Sequence, residues 1–457
     1  MTIEASVEAH PPAAPVNRLL ASPVLPTLLK LALPNTIAMF GIALVAIAET
    51  AYIGRLGVEP LAGIALVFPF VMLTQMMSTG AMGGGVSSAI SRALGAGDRD
   101  RAAMLALHAV IIGVCGGLFF TVMMLGFGRE FYSLLGGRGQ VLEQAMHYSQ
   151  VLFSGAVSIW LVNTLASVVR GTGDMRVPSA TLMATALVQV AVGGTLGLGL
   201  FGLPQLGMRG VAAGQLTAFT LAAMFLAWYF ISGRSRLKLN FQNFTFQRDM
   251  FIDILKVGAI SCVAPLQSVL TILIFTKILA GFGTVTLAGY GVGSRLEFLL
   301  TPIAFAFGVA SVPMVGMAIG AGLVARARKV AWTAGTASGL TVGLVGLIVA
   351  IKPGLWVSLF TGDPGVTEAA YSYFAWAGPA FGFFGLGTCL YFSSQGATKM
   401  VGPVLAGTLR LVLVGLGGWW LASAGAPAWT LFALVGIAMT VFGLATALSV
   451  RLTRWGK

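Results

Sequence analysis

RGTGDMRVP at 170–178 comes back, altered but in register, as QGATKMVGP at 395–403. Gly171 falls on Gly396, Met175 on Met400 and Pro178 on Pro403, each 225 residues later. The same offset carries Gly95-Ala96-Gly97 onto Gly320-Ala321-Gly322 and Arg101 onto Arg326. Moved by one residue, Lys30 meets Lys256, Gly57 meets Gly283, and Leu61-Ala62-Gly63 meets Leu287-Ala288-Gly289. In a chain with 61 glycines an isolated match means little, but this series keeps its order across both halves. The halves are therefore copies of one architecture, and the period is far too long for a solenoid.

The composition says which architecture. Hydrophobic residues make up 57% and charged residues only 9%, against roughly 25% charged in soluble domains. Mean hydropathy is +0.91. The apolar residues lie in runs long enough to cross a bilayer core of ~30 Å. Twelve are expected, at 27–52, 60–84, 104–126, 146–168, 179–202, 209–231, 251–276, 285–313, 331–351, 369–393, 402–422 and 428–450. Continuous runs predict helices, because barrel strands would alternate over short segments. The predicted fold is an all-α polytopic membrane protein of twelve helices in two parallel six-helix repeats.

A net charge of +13 suggests a polyanionic partner at first sight, but the charges sit between the runs. With the N-terminus placed in the cytoplasm, 19 of the 27 Lys and Arg fall on that side and six on the other, leaving Arg295 and Arg410 in or beside spans. That asymmetry is the positive-inside pattern and puts both termini inside. It reports topology in a cell inner membrane, and no nucleic acid is expected as a partner. The first 20 residues show no charged-then-apolar leader ending in a cleavage site, so the first span is expected to act as its own insertion signal.

The most hydrophilic stretch between spans, 232–249, falls where the duplication places a junction. The expected organisation is a cytoplasmic tail (1–26), an N-lobe (27–231), a cytoplasmic linker (232–249), a C-lobe (250–450) and a short tail (451–457). Six spans per half make the repeats parallel, with a pseudo-two-fold axis along the membrane normal and a substrate site between the lobes near the midplane. Gly80, Gly83, Gly84 and Gly85 read first as close helix packing. The Gly95 and Gly320 segments read as helix ends with left-handed caps, not phosphate loops, since no Gly-Lys-Ser/Thr follows.

Of fourteen acidic residues, only Glu49 and Glu297 lie inside apolar stretches. A carboxylate in the membrane is costly and by default points to function. Burial disfavours its ionised form, so such a group can take a proton from one side and yield it to the other; ionised, it can hold Na+ or a cationic ligand. Asn35, four turns before Glu49, falls near the same helix face, and Asn163 and Gln189 are amides in other spans of the first half. These four residues form the expected ion-coupling set. Glu297, with Arg295 two residues earlier, defines a second polar group in the C-lobe. Arg410 and Gln395 are its candidate partners and Gln267 is a further polar position; the alternative is an ion pair that only fixes helix packing.

Met72, Met76, Met77 and Met82, and Phe374, Trp376, Phe381, Phe383, Phe384, Tyr391 and Phe392, suit either a cavity for flat cationic compounds or ordinary core. His10, His108 and His147 are scattered, and Cys115, Cys262 and Cys389 have no metal-ligand spacing. No enzyme constellation and no metal or organic cofactor are expected.

Several segments together resemble one family. LALPNTIAMFGIALVAIAETAYIGRLG at 31–57, AISRALGAGDRDRA at 89–102, RGTGDMRVP, GYGVGSRLEFLLTPIAFAFGVASVPMVGMAIGAG at 289–322 and YFSSQGATKMVGPVLAGTLRL at 391–411 resemble bacterial multidrug and toxic compound extrusion (MATE) transporters. The resemblance implies a cation-coupled antiporter, driven by H+ or Na+, exporting amphipathic and often cationic compounds by rocker-switch alternating access. By position it implies that Glu49-Thr50 stands where an Asp-Thr is usual, and the extra methylene favours H+ over Na+. Acids that several members carry in spans seven and ten are missing here, so coupling through the C-lobe would rest on Glu297. A monomer is expected. The competing reading is a flippase for a lipid-linked or polysaccharide precursor of the same superfamily, which would need basic residues such as Arg295 and Arg410 in its cavity.

Overall fold

The computed structural model describes residues 18–237 and 245–456. Parts of the expected N-terminal tail (1–17) and linker (238–244), and Lys457, lie outside the described residues. Every regular element among the described residues is a helix. The main ones, in chain order, are α1 Val24–Gly54, α2 Val58–Gly95, α3 Arg99–Leu134, α4 Gly139–Ser154 with Ala156–Gly171, α5 Arg176–Leu198, α6 Gly207–Ile231, α7 Arg248–Ala280, α8 Thr284–Gly320, α9 Val324–Ile351, α10 Pro364–Ala377 with Phe381–Gly396, α11 Val401–Ser423 and α12 Ala428–Leu452.

Ten of these are long and apolar enough to cross a membrane unaided. The exceptions are informative. α4 bends by 51° at Gly155, where the helical hydrogen bonds restart. α10 is interrupted by a 3-10 turn at Gly378–Ala380, whose proline lacks the N–H that would continue the ladder. α2, although one of the ten, contains a turn of π-helix at Met76–Met82.

The duplication is visible in the turns. Gly97 and Gly322, 225 positions apart, have φ 82° and 74° and end α2 and α8 in left-handed caps. Gly173 (φ 82°) is matched by Thr398 (φ 62°). A threonine rarely occupies that region, yet the second turn keeps the hand of the first.

Packing divides the molecule differently from chain order. Tyr52 and Ile53, late in α1, belong to the N-lobe core with Val67 and Leu105, whereas Val24, Leu28 and Ala32, early in α1, pack on Phe307, Ala310 and Met314 of α8. α7 does the reverse. Its Met250 and Ile254 enter the N-lobe core, and its Phe275 and Leu279 enter the C-lobe core. Each lobe thus holds the first half of the other's leading helix.

Between lobes, apolar surface alone gives little drive in lipid, and close approach through small residues does the work. A methyl on Gly95 would fall within 3.0 Å of the Met317 carbonyl oxygen, and one on Gly320 within 3.0 Å of the Arg92 carbonyl oxygen. Arg92 and Met317 are themselves 225 residues apart, so the contact is reciprocal about the pseudo-two-fold axis. Hydrogen bonds join the lobes further along α2: Ser88 Oγ to the Gln395 carbonyl, and Gln395 Nε2 to the Gly80 carbonyl at 2.9 Å. Ser87, Val86, Ala310 and Val315 are all buried there. The end of the bundle that carries the basic loops is sealed.

Candidate functional site

Glu49 projects from the N-lobe half of α1 into a polar group supplied by three other helices. The Tyr148 hydroxyl of α4 lies 3.1 Å from Oε1 and the Gln189 Nε2 of α5 lies 3.2 Å from Oε2. Each carboxylate oxygen therefore receives its own donor. The carboxylate keeps intermediate exposure, while Tyr148 is 2% and Gln189 8% exposed. One turn along α1, the buried Tyr52 hydroxyl has no partner.

Tyr148 has a second neighbour. Its hydroxyl is also within hydrogen-bond distance of the Gln215 side-chain oxygen on α6, and one hydroxyl hydrogen cannot serve two acceptors. Two arrangements satisfy the chain. With Glu49 ionised, Tyr148 donates to it and the Gln215 amide turns to donate to Tyr148. With Glu49 protonated, its O–H donates to Tyr148, which donates to Gln215 as drawn. The two arrangements differ in the orientation of the Gln215 amide and in the direction of the hydrogen-bonded chain across α1, α4 and α6.

The other expected members of this set are elsewhere. Asn163 donates to Gln75 Oε1 at 3.1 Å and to Ser78 Oγ at 2.8 Å, holding the π-turn of α2. Asn35 is 2% exposed with an unpartnered Nδ2, on the half of α1 that packs against the C-lobe. Fourteen residues at 1.5 Å rise put it about 21 Å along the helix from Glu49, so sharing a face does not bring the two together. Tyr148 and Gln215 were the residues that sequence reasoning passed over. Gln215 could have been found by the criterion that found Gln189, an amide inside an apolar span.

The C-lobe residues are likewise dispersed. Gln267 donates to Thr408 Oγ1 at 2.7 Å and to the Val404 carbonyl at 3.3 Å, tying α7 to α11. Gln395 belongs to the seal between lobes and not to Glu297. Arg295 is exposed and lies over the Phe360 ring at 5.1 Å. Glu297 and Arg410 form no ion pair among the described residues, and Arg410 lies over the Phe384 ring at 5.2 Å. The aromatic residues of α10 go three ways: Phe374 and Phe381 into the C-lobe core, Tyr391 and Phe392 between the lobes, and Trp376 and Phe383 to the outer surface. No group of three or more His, Cys, Asp or Glu placed to hold a metal occurs among the described residues.

The family model described as MatE matches this chain twice, at residues 34–194 and again at 261–421. The chain belongs to the MatE family. Its two matched segments coincide with the two repeats, and members of this family are transporters, so the MatE protein moves a solute across the membrane and does not transform one.

Curated relatives agree. The chain is 26% identical over 401 residues to the FAD transporter of Shewanella oneidensis, covering 87% of each. It is 26% identical over 346 residues to a probable multidrug resistance protein, NorM, of Thermotoga maritima, covering 75% of this chain and 73% of that one. Among solved structures it superposes with TM-score 0.88 on a MOP superfamily transporter from Pyrococcus furiosus, at 21% identity and covering 95% and 97% of the two chains. It superposes equally well, TM-score 0.88 and 21% identity, on an outward-facing multidrug resistance MATE transporter, again over 95% and 97%. At that identity the likeness is one of fold.

Proposed function

We propose that this MatE protein is a proton-coupled antiporter that exports amphipathic, often cationic compounds by rocker-switch alternating access, with Glu49 as the proton-carrying group. The observation behind this reading is the Glu49 carboxylate, placed in the membrane span, partly exposed, with a Tyr148 hydroxyl and a Gln189 amide donated to its separate oxygens. Donors suit a carboxylate that gains and loses a proton. A Na+ site asks for several oxygens turned toward the ion, and the Gln189 Nε2 takes one of the places beside the carboxylate. The reading also places both termini in the cytoplasm of an inner membrane, by the distribution of Lys and Arg, and takes the working unit as a monomer of two lobes.

The energy source is the proton gradient, with ~2.3 kcal/mol per charge for each 100 mV of potential besides the concentration term. The test is efflux of a fluorescent cation from proteoliposomes under an imposed pH gradient, then under a Na+ gradient. Native protein should respond to the pH gradient and its rate should vary with pH on the proton-supplying side. Glu49→Gln, of the same shape but unable to titrate, should lose gradient-driven efflux and give a flat pH profile. Normal efflux by the variant at every pH refutes the assignment.

A second cargo class is supported by the Shewanella relative, whose curated name specifies FAD. Export of such an anionic aromatic molecule, or flipping of a phosphate-bearing lipid precursor, would show as transport of those compounds and not of the cation in the same vesicles.

A further inference from the structure

On the pseudo-two-fold axis the lobes enclose a cavity of about 10 Å3, the volume that admits one water molecule. Its walls include pairs of residues 225 positions apart: Gly84 with Val309, Ser87 with Val312, and Arg170 with Gln395. The first residues of RGTGDMRVP and QGATKMVGP thus line one space, a cation from α4 and an amide from α10. Arg170 is 3% exposed and Gln395 is fully buried. Among the described residues, no hydrogen bond joins their side chains and no carboxylate pairs with Arg170.

Polar groups from both lobes lack partners at this cavity. The Arg170 guanidinium donates to Ser167 Oγ at 2.7 Å, which uses one of its five N–H groups. Gln395 Nε2 is held by the Gly80 carbonyl at 2.9 Å and by Ser261 Oγ at 3.3 Å. Those two bonds fix the orientation of the amide, and its oxygen is left buried without a partner. Ser87 Oγ is buried without a partner as well. Polar atoms in this condition are costly. Donors, an acceptor and a hydroxyl around room for one small molecule ask for a particle that both accepts and donates. An anion would meet the Gln395 oxygen, and a cation would meet Arg170.

We propose that the cavity is a water site that bolts the lobes together on the axis, one water accepting from the Arg170 guanidinium and donating to Gln395 Oε1 and Ser87 Oγ. The bolt rests on the alternating-access reading for its purpose. It closes the seal without an ion pair between the lobes. Parting a buried ion pair in every cycle would strand two charges, whereas a water-bridged cation gains further hydration as the lobes separate. Strict duplication would set two arginines or two amides across the axis, and the unlike pair is what a single water can join.

Radiolytic footprinting, which oxidises side chains beside a bound water, tests the site in full-length protein in nanodiscs. It should mark Phe392, which lines the cavity at 3% exposure, and spare Phe381 of the C-lobe core at 1%. An unmarked Phe392 overturns the proposal. Pulsed EPR between labels at Asp100 and Leu323, both exposed, follows the seal. Gln395→Arg sets two cations across the axis and should raise the parted population at least about fivefold. Gln395→Met loses the same amide bonds without adding charge and should raise it less. Arg170→Gln combined with Gln395→Arg restores one cation and one amide and should return the native distance. A double variant as parted as Gln395→Arg alone shows that bulk and not charge opens the seal, which overturns the proposal. Exchange of chloride for gluconate at fixed ionic strength should leave the native distance unchanged; a shift would put an anion on Arg170 in place of the water and overturns it too. A marked Phe392 and charge-coupled distances without gradient-driven efflux remove the antiporter reading and leave the bolt in place.

Discussion

Gly95→Ala puts a methyl group where the helices of the two lobes leave no room. The added Cβ would fall within 3.0 Å of the Met317 carbonyl oxygen, a backbone atom that no rotamer change can move aside. α2 and α8 must separate to accept it. Overpacking of a close-packed contact costs about 1–3 kcal/mol, borne only by the conformer in which this end is sealed. That cost corresponds to a shift of about 5- to 150-fold away from the sealed state. Alanine also favours helix over glycine by up to ~1 kcal/mol, but this gain is common to both conformers and cancels in their ratio. Thermal melting should therefore change little while the conformational balance moves.

Spin labels at Asp100 and Leu323, both exposed beyond the ends of the contacting helices, would report the change by pulsed EPR. The native protein should give one short distance, and Gly95→Ala a growing population at longer distance. Gly320→Ala meets the Arg92 carbonyl in the reciprocal contact and should act alike. Combining them should add less than the sum, because lobes already parted by one methyl no longer meet the other. Identical distance distributions in the native protein and both single variants would refute the claim that this contact holds the end shut.

Two further perturbations probe the polar groups. Tyr148→Phe deletes the hydroxyl between Glu49 and Gln215 and with it a hydrogen bond to a charged group, about 1.5–3 kcal/mol; gradient-driven efflux should slow at least about tenfold with cargo affinity unchanged, and full-speed efflux would remove Tyr148 from the proton path. Asp253→Asn breaks the 2.6 Å ion pair with Arg92, whose partners are 28% and 14% exposed, and the looser 3.5 Å contact to Arg101. The loss of stability should be about 1–3 kcal/mol, between the values for exposed and buried pairs, and an unaltered melting temperature in detergent would show that the pair is screened.

Much of the fold was legible because a bilayer constrains sequence strongly. Runs of about twenty apolar residues have few other uses, and the glycine landmarks at Gly95 and Gly320, or Gly171 and Gly396, fixed the duplication before any contact was known. Glu49 and Gln189 were legible for a related reason, since polar groups at membrane depth stand out against their neighbours. Contacts across helices were not. The pairing of Asn163 with Gln75 and Ser78, of Gln395 with Gly80, and the distance of Asn35 from Glu49 depend on helix rotation and crossing, which periodicity does not encode in spans hydrophobic on all sides. The exchange of the first halves of α1 and α7 was equally silent, because a hydrophobic run carries no record of which lobe it faces.

That exchange has a mechanical consequence. Neither lobe can swing as a free body, since each is strapped to the other by half a helix that also continues into its own core. Any rigid displacement of the lobes must be absorbed within α1 and α7 themselves, between the half that is lent and the half that is kept. Both straps have a ready hinge there: Pro34 interrupts the hydrogen-bond ladder of α1, and α7 is divided at Cys262, with Pro265 just beyond. In α1 the kept half carries Glu49, so the acid rides on the strap that must flex.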